Sequence, residues 1–155
     1  MTDWDEFIST VQKQEIEKAR EIYSETVVQH AIFPRDPGSM ENPDGYARVT
    51  GPCGDTMEIF IRVLNGKISK ANFLTDGCTT SIAAASMAVE MATDKKVEDA
   101  RCISKEDILE ALDGLPEESR HCALLASNTL RAAVADYLKM AKEPWKKFYQ
   151  PASHR

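Results

Sequence analysis

The sequence lacks both a long apolar run and an excess of positive charge. No stretch approaches the roughly 20 apolar residues needed to span a bilayer, so we expect no membrane-spanning helix. Asp and Glu number 25 against 19 Lys and Arg, which gives a formal net charge of −6. Because binding to phosphate groups requires clustered Lys and Arg, this balance argues against nucleic acid and anionic lipid as partners.

The sequence also lacks a recognisable targeting segment and a local Cys-x-x-Cys pair. Its first ten residues, MTDWDEFIST, are acidic and mixed, unlike a secretory signal or an Arg-rich transit peptide. We therefore expect the protein in the cytoplasm, where thiols stay reduced. Its four cysteines are then expected to be ligands, nucleophiles or buried side chains and not two disulfides.

The hydrophobic period changes along the first half of the chain. Residues 5–30 repeat at helical spacing without Gly or Pro, which predicts an amphipathic N-terminal helix. Residues 33–45 are rich in Pro and Gly, which is typical of a loop. Residues 46–51, 56–64 and 67–75 have strand patterns, and Asn65 and Gly66 form a two-residue hairpin turn between the last two.

The second half of the chain is predicted to be helical. An Ala- and Met-rich helix covers residues 80–93, a short helix runs from Ser104 to about Leu112, and a long helix covers residues 118–142. The N-cap candidates of the first of these helices are Thr79, Thr80 and Ser81.

The chain has no internal repeat or linker. We predict a single domain over residues 1–155, ending in a poorly ordered tail over residues 144–155. The fold class is α+β, with a small three-stranded antiparallel sheet and helices packed on it.

Three cysteines lie at the edges of these predicted elements. Cys53 lies in the run GPCGD between the first two strands, Cys78 lies where the third strand gives way to a helix, and Cys122 opens the last long helix. These positions are far apart in the chain. A metal site made from them would have to be assembled by the tertiary fold.

The surroundings of these cysteines favour thiolates and metal binding. Helix N-termini stabilise anions, so we expect a lowered pKa for Cys78 and Cys122. Asp55 and His121 each offer a further ligand beside a cysteine. Iron–sulfur clusters normally take four Cys, and zinc takes Cys and His. Three thiolates with Asp55 or His121 would hold a cluster less firmly than four thiolates, which suits a carrier.

These motifs, taken in order, resemble the IscU/NifU N-terminal-type iron–sulfur scaffold family. The resemblance extends from about Tyr23 to Leu138. The matching motifs are Cys-Gly-Asp at 53–55, Gly-Cys at 77–78, Leu-Pro at 115–116, His-Cys at 121–122, Tyr-Ser-Glu at 23–25, His30, Pro-Arg at 34–35 and the segment 132–137.

The resemblance implies an IscU-like fold and a scaffold, not an enzyme, that assembles a [2Fe–2S] cluster on Cys53, Cys78 and Cys122. Asp55 or His121 would lie near the fourth position, and the family associates the aspartate with cluster lability. The implied partners are a cysteine desulfurase that supplies sulfur, an electron donor and apo iron–sulfur acceptor proteins. Zinc can occupy the site without a cluster, and both monomer and homodimer remain open.

Two features of the sequence bear on the alternative function and on recognition by a chaperone. A zinc-dependent sulfurtransferase of the same fold is the alternative function, but that branch lacks the histidine that is present here as His121. The family's Leu-Pro-Pro-Val-Lys segment, recognised by a dedicated Hsp70-type chaperone, corresponds here to LPEES at residues 115–119. The second proline and the lysine are missing. Cys102 belongs to none of the motifs, so we expect it to be a small buried apolar residue.

Overall fold

The computed structural model describes residues 3–145, which form helices around one small sheet. The helices are α1 (Asp3–Ile22), α2 (Glu25–Ile32), α3 (Thr79–Ala92), α4 (Val97–Arg101), α5 (Lys105–Ala111) and α6 (Arg120–Lys142), and the strands are β1 (Gly45–Thr50), β2 (Thr56–Leu64) and β3 (Lys67–Thr75). A 3₁₀ turn at Glu117–Ser119 leads into α6. Within the described residues, none of these helices is both long and apolar enough to cross a membrane.

The sheet is antiparallel, with strand order β1-β2-β3. In its register Gly45 lies opposite Ile61, and Met57 lies opposite Thr75. Asn65 and Gly66 have φ angles of 54° and 77°, the left-handed backbone that a two-residue hairpin turn requires. The predicted α+β class and its three antiparallel strands are confirmed.

The core lies between one face of this sheet and the helices α3 and α6. Most side chains of α3 are buried, including Ala84, Ala88 and Val89. Gly45 allows α6 to pack directly on β1, because an added Cβ would collide with the carbonyl oxygen of Ala133. Just after the other end of β1, a Cβ added to Gly51 would lie 3.4 Å from the side chain of Leu125 in α6, so the helix also lies close to the turn that carries Cys53.

The predicted N-terminal helix over residues 5–30 is wrong in one respect, since the structure divides it into α1 and α2. The break is at Ser24, whose hydroxyl accepts a hydrogen bond from the backbone N–H of Val27 at 3.1 Å and donates to the carbonyl oxygen of Leu112. A serine that caps a new helix competes with continuation of the old one. All residues of α1 are described, and none of them is buried.

Two further points concern a short helix and the C-terminal tail. The short helix α4 was not predicted, because its five residues are too few to show a period. The prediction of a poorly ordered tail over residues 144–155 lies, from residue 146 onward, outside the described residues.

A buried histidine joins α2 to α3. His30 is 6% exposed, and its Nε2 lies 3.1 Å from Oε2 of Glu90 while its Nδ1 lies 2.7 Å from Oγ of Ser86. Because a carboxylate only accepts, Nε2 bears the proton in the neutral ring, and Ser86 donates to Nδ1. The Ser86 hydroxyl also accepts from the backbone N–H of Arg35 at 2.8 Å.

We expect the stability of the protein to fall below about pH 6.5 through His30. Burial lowers the pKa of His30 from its ordinary 6.5, Glu90 opposes this shift and Arg35 adds to it. Below pH 6.5 the unfolded chain therefore binds a proton that the folded chain resists. The contribution of His30 is complete above that pH and is lost as the pH falls towards its lower folded pKa, at no more than about 1.4 kcal/mol per pH unit.

Urea unfolding of the wild type and of His30→Gln, at pH 7.5 and 5.5, measures this dependence. His121→Gln is the control, since that histidine is only half-buried. The loss of stability between the two pH values should be smaller in His30→Gln than in the wild type and in the control. Equal losses in all three proteins would show that His30 does not cause it.

Candidate metal centre

Three separate segments meet at one end of the fold. They are the turn between β1 and β2, the connection from β3 to α3, and the first turn of α6. The ligand atoms of Cys53, Asp55 and His121 lie within 4.8 Å of one another, and so do those of Asp55, Cys78 and Cys122. The five residues predicted as ligands are thus together, in two overlapping triplets that share Asp55.

The turn that presents Cys53 and Asp55 is held by its own backbone. The N–H of Gly51 donates to the carbonyl oxygen of Asp55 at 2.8 Å, and the N–H of Gly54 donates to that of Gly51 at 3.0 Å. Gly54 has φ +88°, a conformation that favours glycine. The N–H of Thr56 donates to Oδ1 of Asp76 at 2.7 Å, which ties this turn to the segment before Cys78.

The start of α3 differs from the prediction. Cys78 itself is the N-cap residue, and no side chain caps the helix there. The hydroxyls of Thr80 and Ser81, expected as caps, are directed at the metal-site side chains. Thr80 Oγ1 lies 3.2 Å from Sγ of Cys78 and 3.3 Å from Sγ of Cys122.

Ser81 makes the corresponding contacts one position further along α3. Its hydroxyl donates to Oδ2 of Asp55 at 3.1 Å and lies 3.4 Å from Sγ of Cys122. Sequence reasoning missed Thr80 and Ser81 as members of the site. The available signal was a pair of hydroxyl residues directly after Cys78 and Thr79, on a helix that otherwise consists largely of Ala, Met and other apolar residues.

The pKa values of the two thiols at helix starts are shifted in opposite directions. The hydrogen bond from Thr80 lowers the pKa of Cys78, backbone N–H groups of Ser81 and Thr80 act in the same direction, and burial opposes them. Burial raises the pKa of Cys122 despite its contacts with the hydroxyls of Ser81 and Thr80, and the neighbouring Cys78 and Cys53 raise it further. The expected lowering for Cys122 is therefore wrong, because loss of hydration outweighs the helix N-terminus.

The site has a buried floor and an open mouth. Cys122 is 1% exposed, whereas Cys53 and Cys78 are exposed. His121 is half-buried, and its Nε2 lies 3.7 Å from Sγ of Cys122. Cys102 is exposed as well, so the expectation that it is buried is wrong, and it belongs to neither ligand triplet in the described part of the chain. A metal ion held here would therefore be bound by the buried Cys122 and remain accessible to another protein on the side of the exposed Cys53 and Cys78.

Three thiols, a carboxylate and an imidazole at one end of a small α+β fold form a candidate metal-binding centre. They suit zinc or iron, which take thiolate and imidazole ligands readily. The whole chain can then be compared with known proteins. It belongs to the family of the NifU-like N-terminal domain, whose family model matches residues 22–144.

Relatives of known name agree with this membership. The chain is 43% identical over 119 residues to the iron-sulfur cluster assembly scaffold protein IscU 1 of Archaeoglobus fulgidus, covering 76% of this chain and 78% of that protein. It is 41% identical over 120 residues to the iron-sulfur cluster assembly scaffold protein IscU of Escherichia coli K12, covering 74% of this chain and 93% of that protein.

A solved structure supports the fold alone. It is the crystal structure of a putative iron-sulfur cluster assembly scaffold protein for the SUF system from Fervidobacterium islandicum AW-1. The likeness has a TM-score of 0.63 and 22% sequence identity, and covers 74% of this chain and 97% of the other. The resemblance noted in the sequence is confirmed.

Proposed function

We propose that this protein is a scaffold on which an iron–sulfur cluster is assembled and from which it is transferred to apo-proteins. The observation that supports this most is the pair of ligand triplets that share Asp55. They bring together the three thiols Cys53, Cys78 and Cys122 with two weaker donors. Iron–sulfur clusters bind to proteins through thiolates, and a site with only three of them can release what it holds.

The three thiols would bind the cluster, which we propose to be of the [2Fe–2S] type. The fourth position would be filled by Asp55 or by His121, and Zn²⁺ would take the same donors when no cluster is bound. The cluster is a substrate and product of this protein and not a resident cofactor. The protein itself would turn nothing over, and its contribution would be to hold the iron and sulfur together.

The chemistry of assembly indicates the class of each partner. Sulfur taken from cysteine by a desulfurase arrives as a persulfide, whose outer sulfur must be reduced to sulfide. An electron donor is therefore needed beside the desulfurase, together with acceptor proteins for the finished cluster. The exposed thiols Cys53 and Cys78 are accessible to such partners. We propose a single scaffold domain acting in the cytoplasm, where thiols stay reduced.

Anaerobic reconstitution tests this function. The full chain is incubated with a cysteine desulfurase, cysteine, ferrous iron and a thiol reductant, and then desalted. The expected product is coloured, shows the visible absorption of a [2Fe–2S] centre and contains iron and sulfide in equal amounts. A chain that binds Zn²⁺ but forms no iron–sulfide chromophore under these conditions would contradict the proposal.

A further inference from the structure

A continuous series of hydrogen-bonding side chains crosses the metal centre. Thr80 Oγ1 lies between the sulfur atoms of Cys78 and Cys122, at 3.2 and 3.3 Å. Ser81 Oγ lies between the sulfur of Cys122, at 3.4 Å, and the carboxylate of Asp55, at 3.1 Å. Two consecutive hydroxyls of α3 thus connect two thiols to the one carboxylate that both ligand triplets share.

Asp55 determines which group donates and which accepts in the hydrogen bond that it shares with Ser81. An ionised carboxylate can only accept, and a serine hydroxyl has a single proton to donate. Ser81 therefore donates to Asp55, and only its oxygen lone pairs remain available to Cys122. Ser81 is 0% exposed, so water does not compete for that proton. The hydroxyl is thus committed to Asp55, on a rigid helix.

The surrounding backbone leaves room for this contact and for nothing larger. A Cβ added to Gly77 would lie 2.5 Å from both Cβ and Oγ of Ser81 and 3.0 Å from Oδ2 of Asp55. Cβ atoms are essentially never found at 2.5 Å from such atoms, so one of the neighbours would have to move. A glycine at this position therefore lets the Asp55 carboxylate and the Ser81 hydroxyl meet.

We propose that Ser81 is a positioning residue that holds Asp55 between the two ligand triplets, so that the carboxylate remains in the metal centre. Asp55 belongs to a turn that is partly open to solvent, and a free carboxylate there would extend into water. This inference rests on the proposed function for its consequence, which is that Ser81 controls how long a cluster stays bound. The position of Asp55 itself does not depend on that function.

Cobalt binding to the cluster-free chain tests the position of Asp55. Co²⁺ bound by thiolates has sulfur-to-metal charge-transfer bands, and its visible ligand-field bands report the remaining ligand. Ser81→Ala removes only the hydroxyl. We expect its charge-transfer intensity to equal that of the wild type, because the three thiols remain. Its ligand-field bands should move to those of Asp55→Ala.

Cluster lifetime is the second measurement. The strength of a hydrogen bond to a charged group is reduced here by partial exposure of the carboxylate. Its loss should change the equilibrium between the positions of Asp55 by about fivefold. Loss of the cluster to a chelator should therefore be about fivefold slower in Ser81→Ala than in the wild type, the same direction that we expect for Asp55→Ala. In the Asp55→Ala background, Ser81→Ala should have no additional effect, since it acts through that carboxylate.

Two further variants complete the test. Gly77→Ala should reproduce the effects of Ser81→Ala with every hydroxyl and every ligand present, because it separates Ser81 from Asp55. Ser127→Ala is the matched control, since Ser127 is 1% exposed and its hydroxyl donates to the carbonyl oxygen of Leu124 in its own helix at 3.0 Å. That control should keep the wild-type cobalt spectrum and lifetime.

The outcomes separate the two proposals. A wild-type cobalt spectrum in both Ser81→Ala and Gly77→Ala would overturn the role of Ser81, and so would an undiminished effect of Ser81→Ala in the Asp55→Ala background. If Ser81→Ala does not fold, as judged by circular dichroism, Gly77→Ala decides alone. A wild-type chain that binds Co²⁺ but assembles no cluster would contradict the scaffold function while leaving the cobalt test of Ser81 valid.

Discussion

Replacing Cys122 by Ala is expected to abolish cluster loading while the protein stays folded. Cys122 is the buried floor of the site, at 1% exposure, whereas the other two cysteine ligands are exposed. No water or external thiol can therefore easily take its place. Loss of residues that merely support a ligand costs about 10–100-fold in metal affinity. Loss of this ligand should cost more than about 100-fold.

The measurement is iron and sulfide bound per chain after anaerobic reconstitution. Circular dichroism and thermal unfolding of Cys122→Ala verify that the fold is retained, since a small buried side chain is replaced by a smaller one. Cys102→Ala is the matched control, because Cys102 lies outside both ligand triplets among the described residues. It should load normally. Normal iron and sulfide in Cys122→Ala would show that the cluster does not bind where we propose.

Replacing Asp55 by Ala should make a bound cluster persist longer and slow its transfer to an acceptor by about tenfold or more. The carboxylate is a hard oxygen ligand beside soft thiolates, and its oxygen can be displaced by water or by an incoming thiol. Without it, His121 is the remaining donor of the triplet that contains Cys53. An imidazole nitrogen suits iron better than a carboxylate does, so the loaded site would open less readily.

Transfer is followed by the change in circular dichroism when the loaded chain is mixed with an apo-ferredoxin. Asp76→Asn is the control, because it removes a nearby carboxylate yet keeps the oxygen that accepts from the N–H of Thr56. It should transfer at the wild-type rate. In Asp55→Ala/His121→Ala, the slow transfer should be lost, since both candidates for the fourth position are gone. An unchanged rate in Asp55→Ala would remove Asp55 from the release step.

Much of the sheet and the choice of candidate ligands could be predicted because their signals are local. Strands β2 and β3 begin and end where the alternating pattern places them, and Asn65 and Gly66 form the turn between them. Cys53, Cys78 and Cys122 could be recognised by their positions at the edges of elements. That they come together with Asp55 and His121 depends on tertiary structure, but His121 directly precedes Cys122 and Asp55 follows Cys53 by two residues.

The features that sequence did not predict depend on contacts between distant residues. The break after α1 is stabilised by the hydrogen bond from Ser24 to the carbonyl oxygen of Leu112, which lies 88 residues further along the chain. The raised pKa of Cys122 follows from burial under the rest of the site. The contacts of Ser81 with Asp55 and Cys122 form only when three segments pack together. In each case the local sequence pattern favoured one outcome, and a contact with a residue distant in the sequence changed it.

The assembly of the centre from three remote segments has a consequence for quality control in the cell. No short segment of the chain contains the full set of donors, so an unfolded or misfolded chain offers iron only separated thiols. Whatever binds the folded form alone also stabilises it by mass action. A loaded molecule should therefore resist heat and proteases better than an empty one. Depletion of iron or sulfur would then lower the abundance of this protein through degradation, without any change in its synthesis.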